Sequence, residues 1–337
     1  MSLETLAPRY RQAIESELRQ VLAQVNGQDF EGLHHILAYH LGWEGEAAGA
    51  EAGGKRIRPL LLLLTCAAAG GQWGHALPAA AGVELLHNFS LIHDDIQDNS
   101  PLRRGRATVW SIWGIAQAIN AGDAMFTLAH LAMLRLEETT SAPLAIQAYR
   151  LIQETSLHLT QGQYLDLAYE SRGDLTLDAY WPMVKGKTAA LLSACTEIGA
   201  LVARASPGRR AAYRQFGSSL GLAFQVQDDL LGIWGNSALT GKSAQSDLLS
   251  GKKSLPVLYG LSQNGPFTQR WCQGEITPAD LPALADQLER EGARDYTQET
   301  ANRLTDQALA TLETAGPEGE AGEALVDLAH RLLRRKL

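Results

Sequence analysis

Two acid clusters carry most of the chemistry this sequence can support. His93-Asp94-Asp95-Ile96-Gln97-Asp98 stands near one third of the length and Gln227-Asp228-Asp229-Leu230-Leu231-Gly232 near two thirds, each closing a long apolar run with helical spacing. On a helix, Asp94 and Asp98 fall one turn apart on one face, with Asp95 beside them. Capping acids belong at helix N-termini, and anions at a C-terminal end oppose the macrodipole. That unfavourable placement occurs twice, so a bound cation is the better reading than a solvated helix end. Hard oxygen donors select Mg²⁺, and Mg²⁺ held by few carboxylates keeps positions open for phosphate oxygens. The pattern points to diphosphate chemistry.

Two basic runs flank the first cluster. Gly53-Gly54-Lys55-Arg56-Ile57-Arg58-Pro59 lies upstream and Pro101-Leu102-Arg103-Arg104-Gly105 follows at once. Glycine lets backbone amides approach an anion, and arginine grips phosphate oxygens in a bidentate fork. Either run alone is ordinarily a solvated basic loop; beside a double-aspartate cluster, both read as anion grips.

The elements that must position these residues are helices. Alanine, leucine, glutamine and glutamate recur at helical spacing, and alternating runs of β-branched and aromatic residues are nearly absent. The spacing predicts helices from Ala7 to Val25, Arg58 to Ala69, Leu77 to Asp98, Thr108 to Leu136, Leu144 to Tyr169, Leu177 to Ala203 and Arg209 to Trp234, with shorter pieces beyond. Gly70-Gly71, Asn99-Ser100-Pro101, Ser171-Arg172-Gly173-Asp174, Ser206-Pro207-Gly208 and a polar segment from Gly235 to Gly251 separate them. Short connections between long helices imply antiparallel neighbours, and a bundle builds its site from facing helices. The expectation is an all-α bundle in a single domain over residues 1–337, with the paired acid helices hinting at a pseudo-symmetric pocket.

Composition narrows the function classes. A formal net charge of −8 argues against nucleic-acid binding, which needs clustered lysine and arginine. Cys66, Cys195 and Cys272 are odd in number and lack CxxC spacing, as expected in a reducing cytosol without a structural metal. Glu4, Arg9 and Glu15 do not fit a signal peptide. The longest apolar stretch, Pro59 to Ala69, is about half of the roughly 20 residues a membrane span requires, so stable membrane insertion is not expected. His34, His35 and His40 lack partner ligands and read as surface histidines, while Trp110, Trp113 and Trp234 read as packing.

With these motifs in view, the chain resembles a trans-isoprenyl diphosphate synthase of the polyprenyl synthetase family, most like geranylgeranyl and farnesyl diphosphate synthases. Asp94-Asp95-Ile96-Gln97-Asp98 resembles the family's first aspartate-rich motif and Gln227-Asp228-Asp229-Leu230-Leu231-Gly232 its second. The resemblance implies an isoprenoid-synthase bundle with a central cavity, three Mg²⁺ ions per active site, a homodimer and a cytoplasmic location. It assigns isopentenyl diphosphate to Lys55, Arg58, His87 and Arg104. The allylic diphosphate falls to Arg103, Lys187, Thr188, Gln225 and Lys242, with Lys252 in a lid-like loop, and the metal to Asp94, Asp98 and Asp228. Asp95 joins the catalytic acids. The basic end from Arg331 to Lys336 resembles a tail that can close over the isopentenyl site, although a helix terminus complementing the dipole explains it as well.

Two departures stand out: Gly232 ends the second motif in place of aspartate, and Ala107 replaces the proline of Arg-Arg-Gly-x-Pro-Thr. Activity is expected to survive both, since shortened DDxxG forms occur in the family. Cleaving the allylic carbon–oxygen bond leaves diphosphate and a carbocation, so cations must face the leaving group and apolar walls must exclude water. Leu85, Leu86, Phe89, Phe224 and Val226 are candidates for those walls, and Thr188 and Gln225 offer oxygen dipoles to the cation. No side chain stands out as the base; the departing diphosphate can take the final proton. Phe89, five residues before Asp94, with small Ser90 beside it and Leu86 deeper, resembles the geranylgeranyl type, and farnesyl diphosphate is the alternative product. A class I terpene cyclase and a non-catalytic partner subunit are the rivals. Cyclases do not bind isopentenyl diphosphate, and a non-catalytic partner would not need five aspartates.

Overall fold

The computed structural model describes residues 3–235, 246–274 and 276–333. It is all-α, with 79 % of the described residues helical. The long helices are α1 (Leu3–Leu22), α2 (Glu31–His40), α3 (Ile57–Ala68), α4 (Leu77–Gln97), α5 (Val109–Leu134), α6 (Ala142–Glu170), α7 (Ala190–Val202), α8 (Pro207–Trp234), α9 (Leu255–Gln263), α10 (Leu281–Arg290), α11 (Ala293–Ala315) and α12 (Gly319–Leu333). Among the described residues the strands are β1 (Leu102–Arg103) and β2 (Arg106–Ala107), an antiparallel ribbon that pairs Leu102 with Ala107. This ribbon turns Pro101 to Thr108 back on itself directly after the first acid cluster, a turn that periodicity alone does not reveal. Helix α2 is also absent from the helices expected above.

The chain divides into two compact units. The first comprises residues 1–153, 195–210 and 316–325, the second 154–194, 211–315 and 326–337. In the first, α4 packs on α5, and also on α1 and α3. Helix α3 is apolar nearly all round, and Leu60, Leu61, Leu62, Leu63 and Leu64 are all fully buried, as a helix enclosed by others requires. In the second, Ile233, Leu248, Val257, Phe267, Leu284 and Leu288 form one apolar cluster.

Arg56 belongs to this framework. Buried just ahead of α3 with a left-handed φ of 48°, it donates from Nε to Glu15 Oε1 at 2.7 Å, from Nη1 to Glu84 Oε1 at 2.9 Å and from Nη2 to the Leu41 carbonyl at 2.9 Å. A buried guanidinium satisfied on all sides is held as structure, so the basic run from Lys55 to Arg58 contains one cation that is not available to a ligand.

Candidate active site

In the first unit the acid cluster occupies the last turn of α4. The Asp98 amide donates to the Asp94 carbonyl at 2.8 Å, closing the helix, and the Ser100 amide donates to the Asp95 carbonyl at 2.9 Å. The carboxylates differ sharply. Asp95 is 2 % exposed, whereas Asp94 and Asp98 are half-buried. Arg103 Nε donates to both Asp95 oxygens at 2.8 and 3.0 Å, and its Nη2 lies 2.7 Å from Asp95 and 3.5 Å from Asp94. Burial pushes the Asp95 carboxyl up, opposed by Arg103 and reinforced by Asp94 and Asp98. Thus Asp95 and Arg103, both expected at the site, neutralise each other, and Asp94 and Asp98 are the more exposed acids.

Cations gather beside them. Arg58 Nη1 contacts His87 Nε2 at 3.0 Å, and the buried Arg58 Nε has no protein partner. Arg104 donates from Nη1 to the Ala52 carbonyl at 3.0 Å. A Cβ on Gly54, whose φ is +81°, would come within 2.6 Å of the Arg104 guanidinium, so glycine is needed there twice over. Burial lowers both Arg58 and Arg104, with Arg103, Arg56 and Arg58 repelling Arg104 further. His87 is pushed well below its ordinary value by burial and then by Arg58, Arg104 and Arg103. A neutral imidazole among crowded guanidinium groups leaves excess positive charge, which an anion such as diphosphate would relieve. Lys55 is exposed at the rim.

His40 corrects the surface assignment. Its Nε2 is buried without a partner, and burial, with Arg103 and Arg104, lowers its pKa from 6.5 to about 3. Together with Tyr39, Asp95, Arg103, Arg104 and Arg106 it lines a small cavity. His35 does lie at the surface, 2.5 Å from Glu44. Ala107, where proline was expected, pairs in the ribbon, and its carbonyl accepts from Tyr39 Oη at 2.8 Å.

In the second unit the expected run Leu177 to Ala203 is not one regular helix. A π-helical turn at Lys185–Ala189 interrupts it and carries Lys187 and Thr188. Such bulges re-aim side chains and recur at functional sites. The turn sits against α6, where a Cβ on Gly162 would meet the Lys187 amide at 2.1 Å. Lys187 Nζ donates to Asp166 at 2.5 Å. Asp166 was not among the expected site residues; the available signal was a glycine inside a long helix four residues before an acid, the same face as a partner that approaches closely.

On α8, Thr188 Oγ1 donates to Gln225 Oε1 at 2.7 Å, and Gln225 Nε2 donates to Asp229 Oδ1 at 2.9 Å. Asp229 Oδ2 accepts from Tyr180 Oη at 2.8 Å and from the Leu255 amide at 3.0 Å. Asp229 is 4 % exposed, while Asp228 is half-buried. Gln227 Nε2 donates to Thr305 Oγ1 at 3.3 Å and to the Leu333 carbonyl at the end of α12. Lys252 is half-buried; its neighbour Lys253 is buried over the Trp271 ring at 5.1 Å. Lys242 and residues 334–337 of the basic end lie outside the described residues.

The residues expected to set product length are all in the first unit. The Phe89 ring lies 4.8 Å from His93 and 4.9 Å from Phe126, which is 4.2 Å from His130. Ser90 Oγ donates to the His87 carbonyl at 2.7 Å. Leu85 and Leu86 are fully enclosed, so Phe89 is the more accessible of the three.

The polyprenyl synthetase family profile matches residues 47–276. A (2E,6E)-farnesyl diphosphate synthase of Mycobacterium tuberculosis is 42 % identical over 311 residues, covering 89 % of this chain and 86 % of that one. A geranylgeranyl diphosphate synthase of the same organism is 38 % identical over 335 residues, covering 98 % and 91 %. A solved polyprenyl synthase from Caulobacter crescentus, complexed with calcium and isoprenyl diphosphate, superposes with a TM-score of 0.85 at 31 % identity, covering 100 % and 98 %. These relatives do not favour the cyclase or the non-catalytic partner. The chain belongs to the polyprenyl synthetase family and is a trans-isoprenyl diphosphate synthase.

Proposed function

We propose that this synthase uses Mg²⁺ to extend allylic diphosphates with isopentenyl diphosphate, and that geranylgeranyl diphosphate is its main product. The observation that carries the elongation reading is the crowded pair of guanidinium groups, Arg58 and Arg104, with neutral His87 between buried neighbours near the half-buried acids of α4. A cyclase, which binds no second diphosphate, has no need of it. Lys55 extends this group for isopentenyl diphosphate. Arg103, Lys187, Lys242 and Lys252 are assigned to the allylic partner, and residues 1–337 are taken to act as one functional domain.

The donor set suits Mg²⁺. Asp94, Asp98 and Asp228 are half-buried carboxylates, and among the described residues no three acids, histidines or cysteines already gather as a closed metal site. Mg²⁺ ordinarily takes one or two carboxylates and fills its remaining positions with water and phosphate oxygens. When bound, it supplies charge neutralisation to the leaving diphosphate. Lys187 is held by Asp166 and Arg103 by Asp95, and each is assigned to diphosphate binding. Thr188 and Gln225 turn oxygens toward the developing cation while Val226 and Phe224 exclude water, and the departing diphosphate takes the proton released on bond formation.

A homodimer fits the exposed apolar residues of α5, Ile115 and Ile119 at 53 and 43 % exposure one turn apart, with Ile112 at 45 % ahead of the kink at Gly114. A cytoplasmic location accords with Cys66, Cys195 and Cys272 all being free thiols.

Product length rests on Phe89, packed against Phe126 with the rings tilted by 54°, and on small Ser90 beside it. Chromatography and mass spectrometry of products from isopentenyl diphosphate and each short allylic starter test it. Geranylgeranyl diphosphate should dominate, Phe89→Ala should lengthen the product and Ser90→Phe should shorten it toward farnesyl diphosphate. Farnesyl diphosphate as the wild-type end product would support the alternative, farnesyl synthesis, in place of geranylgeranyl synthesis. An unchanged distribution in both variants would place chain-length control elsewhere.

A further inference from the structure

We propose that Asp229 is a positioning residue that fixes the direction of a hydrogen-bond relay ending at Thr188. This rests on the reading of Thr188 and Gln225 as oxygens turned toward the developing carbocation. Donors converge on the buried Asp229 carboxylate, among them Tyr180 Oη and the Leu255 amide on Oδ2 and Gln225 Nε2 on Oδ1. A carboxylate only accepts, so the Gln225 amide must present its nitrogen to Asp229 and its oxygen to the other side. Thr188 meets that oxygen at 2.7 Å and must therefore donate. Its proton is committed to Gln225, which leaves only its lone pairs to meet a cation.

The direction matters because a cation is stabilised by lone pairs and destabilised by a hydroxyl proton pointing at it. A hydroxyl free to rotate would spend part of its time in the wrong orientation, and a carboxylate two bonds back in the relay removes that freedom without touching substrate. Asp229 thus acts on the reaction through Gln225, while half-buried Asp228 beside it is a proposed metal donor. The two aspartates of the second cluster have different work, and only one of it concerns the metal.

Asp229→Asn tests this with almost no change of shape. The asparagine oxygen can keep Tyr180 and Leu255, which turns its NH₂ toward Gln225, reverses the Gln225 amide and makes Thr188 an acceptor with its proton free to meet a cation. The variant is expected to lose kcat by about tenfold or more while both Michaelis constants stay within about twofold, the signature of an interaction made in the transition state. The Mg²⁺ concentration giving half-maximal activity should not move. An unchanged kcat overturns the relay, and so does a loss accompanied by a shifted Mg²⁺ requirement, which would make Asp229 a charge partner of the metal. Should Asp229→Asn not fold, Tyr180→Phe decides. It leaves the carboxylate and the direction in place, so retained kcat supports the relay and a tenfold loss overturns it. Gln225→Ala separates the levels: a loss there with none in Asp229→Asn removes the relay alone, whereas no loss in Gln225→Ala removes the underlying reading too.

Discussion

Helices α4 and α8 each carry an Asp-Asp pair in their C-terminal part and neutralise it differently. In each pair the second aspartate is buried, Asp95 at 2 % and Asp229 at 4 % exposure, and the first is half-buried. On α4 the buried acid is matched by a full charge, Arg103. On α8 it is matched by neutral donors, including Tyr180, Gln225 and the Leu255 amide. A guanidinium ties Asp95 to a ribbon residue that also reaches Asp94, so that pair can respond to a bound anion. A carboxylate surrounded by fixed dipoles is rigid and suits the holding of Gln225. The same dipeptide therefore serves a charge-exchanging site in one unit and a geometry-fixing site in the other.

The comparison breaks most visibly at the acids. Asp94→Ala should cost at least about a hundredfold in kcat with the melting temperature nearly unchanged, because its carboxylate stabilises charge and little structure. Asp229→Ala should lose less rate and more stability, on the order of 1–3 kcal/mol for each buried donor left unsatisfied. Equal rate losses and equal melting temperatures would show that the two pairs are not divided in this way.

Next comes the cation group of the first unit. Each charge-assisted phosphate contact is worth about 1.5–3 kcal/mol, so Arg58→Ala should raise the Michaelis constant for isopentenyl diphosphate by about ten- to a hundredfold and leave the allylic constant almost unmoved. A rise confined to the allylic substrate in steady-state kinetics would reverse the site assignment.

The smallest expected effect is on acid stability. His40 holds a pKa of about 3 in the fold against an ordinary 6.5, so below pH 6.5 the unfolded chain binds a proton that the folded chain refuses. Its contribution is intact above pH 6.5 and is lost as the pH falls toward 3. His40→Gln should flatten the acid limb of stability by at most about 1.4 kcal/mol per pH unit in chemical denaturation between pH 6.5 and 4.5. A parallel curve would show that His40 is hydrated in the fold.

Much of this molecule was legible before its structure. The apolar runs located seven helical stretches to within a few residues, because burial of a periodic face dictates both the helix and its length. The acid and cation residues were legible as types at a spacing. What escaped were features set by partners distant in sequence. Arg56 looks like its neighbours Lys55 and Arg58 until Glu15 and Glu84 close on it. His40 looks like His34 and His35 until the guanidinium groups of Arg103 and Arg104 approach. The π-helical turn at Lys185–Ala189 reads as ordinary helix, since nothing local to Lys-Gly-Lys-Thr marks an extra residue in a turn.

The most direct measurement is the rate of condensation of isopentenyl diphosphate with a short allylic diphosphate by the purified single protein, in chelator and on restoring Mg²⁺, for the wild type, Asp94→Asn and Asp228→Asn. The expected result is no turnover in chelator, full recovery with Mg²⁺ in the wild type, and recovery in neither variant until Mg²⁺ is far in excess. Undiminished turnover in chelator, or wild-type Mg²⁺ dependence in either variant, would contradict the assignment of these acids to the metal.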